Sequence, residues 1–168
     1  MAAGNTYEAI ATTTLGSNAA SVTFSSISGA YTDLQLVVNN KLTVASARYI
    51  ALQFNSDTAS NYSATYLYGD GTTAASGRGS NDNYARIGNG SGSTSNPATT
   101  VANIMNYSNT TTNKTTVGRS SGDSYAIVYV SLWRSTSAIT SITVICDPTS
   151  STLLATGATF SLYGIKAA

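Results

Sequence analysis

The chain has 168 residues, a length that fits one domain able to bury roughly 70% of its unfolded surface. Only 9% of its residues are charged, against about 25% in a typical soluble domain, and eight basic residues balance seven acidic ones. It contains no histidine, one glutamate at Glu8 and one cysteine at Cys146. These groups supply most general acids, bases, nucleophiles and metal ligands in enzymes, so we expect no enzyme activity, no cofactor and no metal.

The absence of histidine rules out a serine–histidine triad, a cysteine–histidine pair and the usual zinc sites. Calcium needs only oxygen ligands, and the predicted loops contain aspartates: Asp57, Asp70, Asp82, Asp123 and Asp147. Their spacing matches no EF-hand loop, and Asp57, Asp70 and Asp147 each match a turn signature. We therefore interpret these three as turn residues.

The sequence also bears on partners and on where the chain works. Its arginines are scattered among neutral residues, so it has no basic stripe for nucleic acid. The first ten residues show no basic segment followed by an apolar one, and the longest apolar runs are far shorter than a membrane span. We expect no nucleic acid, no membrane and no secretory signal. Cys146 ends the apolar run that starts at Ile142, which predicts a small buried hydrophobe.

Period-two segments rich in Val, Ile, Tyr, Phe and Thr alternate with turn residues along the chain and predict an all-β fold. With about ten strands in one domain, we expect residues 1–168 to form a single two-sheet β-sandwich with jelly-roll or Greek-key crossings. The predicted strands are 6–15, 21–24, 33–38, 49–54, 63–68, 84–87, 100–107, 114–119, 125–133, 139–145 and 159–165.

Two of these strands carry informative patterns. In residues 125–133 apolar side chains occur at both odd and even positions, and so on both faces of the strand. This predicts a central strand covered on both faces. In residues 159–165 Phe160, Leu162 and Gly164 alternate with Ser161, Tyr163 and Ile165, which predicts one core face.

Long loops rich in Gly, Ser and Asn are predicted at 69–82 and 88–97, and a less extreme one at 39–47. Such segments bury little and need a partner to become ordered. We expect residues 69–82, residues 88–97 or an N-terminal arm or edge strand at 1–15 to contact neighbouring subunits.

Tyrosine is the one functional group in surplus, with eleven copies. Tyr62, Tyr66 and Tyr68 share a parity, and so they lie on one face of their strand. The first interpretation is an amphipathic core face with hydroxyls at its edge. The second is a surface that stacks on sugar rings or anchors a protein interface. The candidate contact residues are Tyr62, Tyr66, Tyr68, Tyr84, Arg78 and Arg86, with Trp133 as a further aromatic contact to glycan.

Several stretches resemble a group of small structural proteins of tailed bacteriophages, familiar among phages of aquatic bacteria including cyanophages. The stretches are 53–57 through 61–63, 106–114, 132–136, the ending 159–168 and Tyr31-Thr32-Asp33-Leu34. The resemblance covers most of the chain and is weakest in the first thirty residues. It implies a virion component made in the host cytoplasm, without catalytic residues.

The resemblance leaves two positions on the particle open. A compact sandwich without a fibre-shaft repeat favours a decoration, or cement, protein on the outer surface of the head. By analogy with phage cement proteins its partners would be the major capsid protein and copies of itself in a homotrimer. The alternative is a receptor-binding module of a tail or head fibre that recognises host surface glycan.

Overall fold

The computed structural model describes residues 6–44, 46–91, 97–122 and 125–166, and the regular elements in these ranges are β-strands. In chain order they are β1 (Tyr7–Thr14), β2 (Ser21–Phe24), β3 (Asp33–Asn40), β4 (Arg48–Phe54), β5 (Tyr62–Gly69), β6 (Ala74–Asp82), β7 (Ala85–Gly90), β8 (Ala98–Met105), β9 (Lys114–Ser121), β10 (Ala126–Trp133), β11 (Ile142–Cys146) and β12 (Thr159–Ile165).

The strands form two antiparallel sheets. The large sheet has eight strands in the order β1-β12-β3-β8-β9-β10-β5-β6, and the small sheet has four in the order β2-β11-β4-β7. The predicted all-β, two-sheet sandwich is therefore confirmed. The jelly-roll or Greek-key crossing pattern stays a prediction.

The core lies between the two sheets and follows from alternation along the strands. Leu34, Leu36 and Val38 of β3 and Phe160 and Leu162 of β12 are fully buried, whereas their neighbours along each strand point outward. From the small sheet, β4 and β11 contribute Ile50, Leu52, Phe54, Ile142 and Val144, also fully buried. Each such side chain contributes about 1.5–3 kcal/mol to folding. The single core face predicted for 159–165 is confirmed.

β10 lies inside the large sheet between β9 and β5, as predicted for a central strand. The prediction that both its faces are covered is wrong. Ile127, Tyr129 and Trp133 point into the sandwich, but Val128 is 44% and Val130 is 48% exposed. The small sheet packs against one face of the large sheet, so the apolar residues of the other parity reach solvent.

The predicted loop 69–82 is also wrong for most of its length, because residues 74–82 form β6 at one edge of the large sheet. Main-chain bonding to β5 does not depend on side-chain type, so this Gly- and Ser-rich segment pairs despite its low strand propensity. Gly77 pairs with Tyr66, whose ring lies where a Cβ at Gly77 would be. The missing side chain therefore makes room for an aromatic one.

The other predicted loops and ends differ in smaller ways. Residues 88–90 belong to β7, Ser91 forms an isolated bridge with Lys41, and residues 92–96 of the loop 88–97 lie outside the described residues. Asn39 and Asn40 of the loop 39–47 belong to β3. Residues 7–14 of the predicted arm or edge strand form β1 at the other edge of the large sheet. The strand predicted at 139–145 begins only at Ile142.

The two sheets approach most closely where β7 crosses the large sheet. β7 packs against β8, β9 and β10. A Cβ placed on Gly118 of β9 would overlap the backbone carbonyl of Ile87 in β7. Because backbone cannot move aside as a flexible side chain can, glycine at position 118 sets the distance between the sheets here.

Candidate functional site

The first candidate surface is the face of the large sheet that points away from the small sheet, here called the outer face. Register places Leu67, Val128, Arg119 and Val101 side by side on β5, β10, β9 and β8. In the next row Val130 lies beside Val117. Leu67 is 65% exposed and Met105 39%. The outer face is therefore an exposed apolar surface across the middle of the sheet.

A shallow groove of about 540 Å³ follows this surface between β8 and β5. Leu67, Val101, Ala126 and Val128 line it together with Arg119 and neutral Ser and Thr side chains. Arg78 on β6 lies at the margin of the same face, opposite Thr65. An apolar surface with so few charges is typical of a contact surface, because burying it removes little hydration from ionised groups.

The second candidate is a cleft between the sheets, here called the aromatic cleft. It has a volume of about 230 Å³ and is lined by Tyr49, Tyr66, Tyr68, Arg86, Asn89, Ile127 and Tyr129. Tyr66, Tyr68 and Tyr129 come from the large sheet, and Tyr49, Arg86 and Asn89 come from the small one. The cleft is open because β5 and β6 extend the large sheet past β7, so Tyr66 and Tyr68 are only partly covered.

Arg86 is held in the aromatic cleft by rings and by one carboxylate. Its guanidinium carbon lies 4.6 Å from the centre of the Tyr49 ring and 5.7 Å from that of Tyr84. Its Nη2 lies 3.2 Å from Oδ2 of Asp82. Burial lowers the pKa of Arg86, but the Asp82 carboxylate and the nearby tyrosines Tyr84, Tyr49 and Tyr129 together outweigh this and raise the pKa above its usual value. Arg86 is thus a fixed cation with a paired anion.

The remaining cleft contacts join rings and neutral polar groups. The Tyr66 and Tyr129 ring centres are 5.3 Å apart, and the Tyr129 hydroxyl lies 3.4 Å from Oδ1 of Asn89, to which it donates a hydrogen bond. Burial raises the pKa of Tyr129, so this hydroxyl stays protonated at neutral pH.

The predicted contact residues are divided among different environments. Tyr66, Tyr68 and Arg86 meet in the aromatic cleft, and Arg78 lies exposed beside the outer face. Tyr62, Tyr84 and Trp133 are 0%, 5% and 3% exposed. These three rings pack inside the fold and cannot contact a glycan or a partner, so their part of the prediction does not hold. Of the three, Tyr62 matches the first interpretation, an amphipathic core face.

Tyr62 lies on the same strand face as Tyr66 and Tyr68, but it is buried and not a surface residue. Its hydroxyl accepts a hydrogen bond from the Phe54 amide and donates one to the Asp57 carbonyl, each 3.1 Å long. Its ring centre lies 6.2 Å from those of Phe54 and Trp133. The polar tip is satisfied within the protein, which allows the whole ring to be buried.

Sequence reasoning missed Tyr49 and Asn89. They come from β4 and β7, and only the packing of the two sheets brings them next to β5 and β10. No spacing rule could have joined them to Tyr66. The apolar run 125–133 is the sequence signal for the outer face, but the run alone predicts a strand covered on both faces.

The turn interpretation of the aspartates is confirmed for three of them. Oδ1 of Asp70 accepts hydrogen bonds from the backbone amides of Thr72 and Thr73. Oδ1 of Asp147 accepts one from the backbone amide of Thr149. Asp57 binds the amide of Ala59 in the same way. Asp82 pairs with Arg86, and Asp123 lies outside the described residues.

Cys146 is buried, as predicted for a small hydrophobe. Within the described residues, no three His, Cys, Asp or Glu side chains come together as a metal site would require. The same part of the chain contains no helix with the length and apolarity needed to cross a membrane.

No model of a known protein family matches the sequence, and no curated protein matches it either. The outer face and the aromatic cleft are therefore the structural observations that bear on function.

Proposed function

We propose that this chain is a structural subunit of a bacteriophage particle, which decorates the outer surface of the head and stabilises it by contact. The observation that carries the proposal is the outer face of the large sheet, with Leu67, Val128 and Val130 between 44% and 65% exposed. Such contiguous apolar exposure is typical of a surface that another protein covers. The phage assignment rests on the resemblance of the sequence stretches named above.

The size of the outer face supports a protein partner. Eight strands about 4.8 Å apart and about eight residues long cover roughly 900 Å². A standard protein interface buries about 800 Å² on each partner. One such face therefore suffices for a stable contact with the major capsid protein or with another copy of the chain.

The low charge of the chain fits this function as well. Few exposed charges limit self-repulsion among many copies on a shell and make the contact insensitive to salt. Many weak contacts on one particle act together, so a single contact does not have to be tight. The partners this requires are the major capsid protein and copies of the chain, with a homotrimer as the expected form.

The test is binding of the purified chain to phage heads that lack it, measured by co-sedimentation. Val128→Thr and Val130→Thr keep the β-branched shape and remove apolar area, so the fold should be retained. We expect the double variant to bind about tenfold more weakly or worse, since two exposed methyl groups are replaced by hydroxyls. Thr23→Ala, on the outward side of the small sheet, is the control. Unchanged binding of the double variant would remove the outer face from the proposal.

A receptor-binding module is the second candidate, and the aromatic cleft favours it. Aromatic rings beside Arg86 and Asn89 are the kind of surface that binds sugars. A glycan array probed with the free chain discriminates the two functions: binding of a defined glycan without any shell favours the module, and binding to shells alone favours decoration.

A further inference from the structure

The aromatic cleft occupies the end of the sandwich where the small sheet stops. β7 is the last strand of the small sheet and packs mainly over β8, β9 and β10. β5 and β6 continue the large sheet beyond it. The inward-pointing rings of Tyr66 and Tyr68 therefore have the edge of β7 on one side and solvent on the other.

The walls of the cleft are rigid. Tyr66 packs on Tyr129 and covers Gly77, so its ring cannot turn without opening a gap beside β6. Tyr49 packs on Tyr84 with ring centres 6.4 Å apart and carries Arg86 on its face. The backbone amide of Asn89 donates to the Ser120 hydroxyl at 2.9 Å, which holds β7 against the large sheet at this point. A rigid cleft loses little entropy when it binds a ligand.

The charge of the cleft selects against ions. The residues that line the cleft are neutral except Arg86, and Asp82, which does not line it, pairs with Arg86 at 3.2 Å. An anionic ligand would have to displace a carboxylate that is already in place. Arg86 Nε and Asp82 Oδ2 are both buried without a hydrogen-bond partner among the described residues, so the protein alone leaves one donor and one acceptor of this ion pair unsatisfied. A neutral ligand with hydroxyl groups suits a site of this kind, because a hydroxyl both accepts and donates.

The size of the cleft limits the ligand to one ring. Its volume of about 230 Å³ lies below the ~300–1,000 Å³ usual for drug-sized ligands. We propose that the aromatic cleft binds a single neutral sugar ring, with the apolar side of the ring on Tyr68 and its hydroxyls directed to Asn89 and Arg86. This site deepens the second candidate function. It shares Tyr68 and Ile127 with the end of the outer-face groove, whereas Val128 and Val130 of the outer face do not line it.

The test is a titration of the purified chain with methyl glycosides of neutral hexoses, followed by NMR of the Asn89 side-chain amide. Binding of one sugar ring is expected in the millimolar range. The expected result is a saturable shift of Asn89 with at least one hexoside. Methyl glucuronoside, which has a carboxylate in place of the hydroxymethyl group, should bind more weakly than the matching neutral sugar.

Variants of Tyr68 separate a sugar site from an unspecific effect. Tyr68→Ala should weaken binding about tenfold or more, whereas Tyr68→Phe, which keeps the ring, should stay within about threefold. Tyr7→Ala removes a 55% exposed tyrosine on β1, at the opposite edge of the large sheet, and should change nothing.

Three results would overturn the proposal. They are the absence of any shift in the unaltered chain, equal binding by Tyr68→Ala, and binding of the glucuronoside alone. The first and third need no variant, so the proposal remains testable if Tyr68→Ala does not fold. Binding to phage heads is measured separately on the outer-face variants, so failure of the sugar site and failure of the decoration function are distinguishable.

Discussion

The indole Nε1 of Trp133 donates a 2.7 Å hydrogen bond to Oδ2 of Asp57, which ties the end of β10 to the connection between β4 and β5. The same carboxylate oxygen accepts from the Asn61 side chain at 2.9 Å, and Oδ1 accepts from the Ala59 amide. A residue that looks like an ordinary turn aspartate thus links the two sheets beside the core.

Replacing Asp57 with alanine should therefore cost more than the loss of a turn. The substitution leaves the buried indole N–H of Trp133 without its acceptor, and an unsatisfied buried donor costs about 1–3 kcal/mol. Urea unfolding measures the change in the free energy of unfolding. Asp70→Ala is the matched control, because the Asp70 carboxylate bonds to Thr72 and Thr73 of its own turn, and it should cost less than about 1 kcal/mol. Equal losses in both variants would contradict a linking role for Asp57.

Stability should fall in acid partly through the same carboxyl. Burial pushes the pKa of Asp57 up, but hydrogen bonds from Asn61, Trp133 and the Ala59 amide outweigh this and hold it below its usual value. A lowered folded-state pKa stabilises the fold above the unfolded-state value of about 3.9, and this contribution disappears as pH falls through the folded-state pKa. Asp57→Asn should therefore lose less stability than the unaltered chain between pH 7 and pH 3. Parallel pH profiles for the two proteins would refute this.

Gly118→Ala should be severely destabilising. The added Cβ meets the backbone carbonyl of Ile87, so one sheet has to move away from the other. We expect a loss of about 3 kcal/mol or more, above the 1–3 kcal/mol typical of overpacking by side chains. Gly16→Ala is the control, since a Cβ there has nothing within 4 Å, and its effect should stay within about 0.5 kcal/mol. Thermal unfolding measures the stability of both variants. A small loss of stability in Gly118→Ala would show that the two sheets can separate easily.

The thiol of Cys146 should react only when the protein opens. Burial raises its pKa to about 11, so at pH 8 little of the reactive thiolate is present, and the side chain is 4% exposed. Ellman's reagent should label the folded protein slowly and the urea-unfolded protein at once. Complete labelling of the folded chain within the mixing time would mean that β11 is accessible.

The fold class could be predicted because alternation is a local property. Leu34, Leu36 and Val38 show the period of two directly, and they form part of the core. β6 was missed because its residues carry no such alternation, and its pairing with β5 rests on main-chain bonds and on the fit of Tyr66 over Gly77. The burial of Lys114 could not be predicted from alternation either. Its side chain is buried because Nζ donates to the carbonyls of Thr112 and Thr136.

The candidate sites depend on relations that no single segment contains. The sequence shows that Val128 and Val130 are apolar, but it does not show whether another sheet covers them. They face solvent because the four-stranded sheet covers only one face of the eight-stranded sheet. Tyr66 and Arg86 were both singled out from the sequence, but their meeting in one cleft depends on how β7 packs over the large sheet.

Hydroxyl-radical footprinting of the chain, free and bound to phage heads, tests the central claim most directly. The outer face carries Leu67 and Met105, which are 65% and 39% exposed in the free chain and should be oxidised there. On the particle both should be protected several-fold, while Thr23 and Pro148, which lie away from the outer face, serve as references. Equal oxidation of Leu67 and Met105 in the two states would contradict attachment through the outer face.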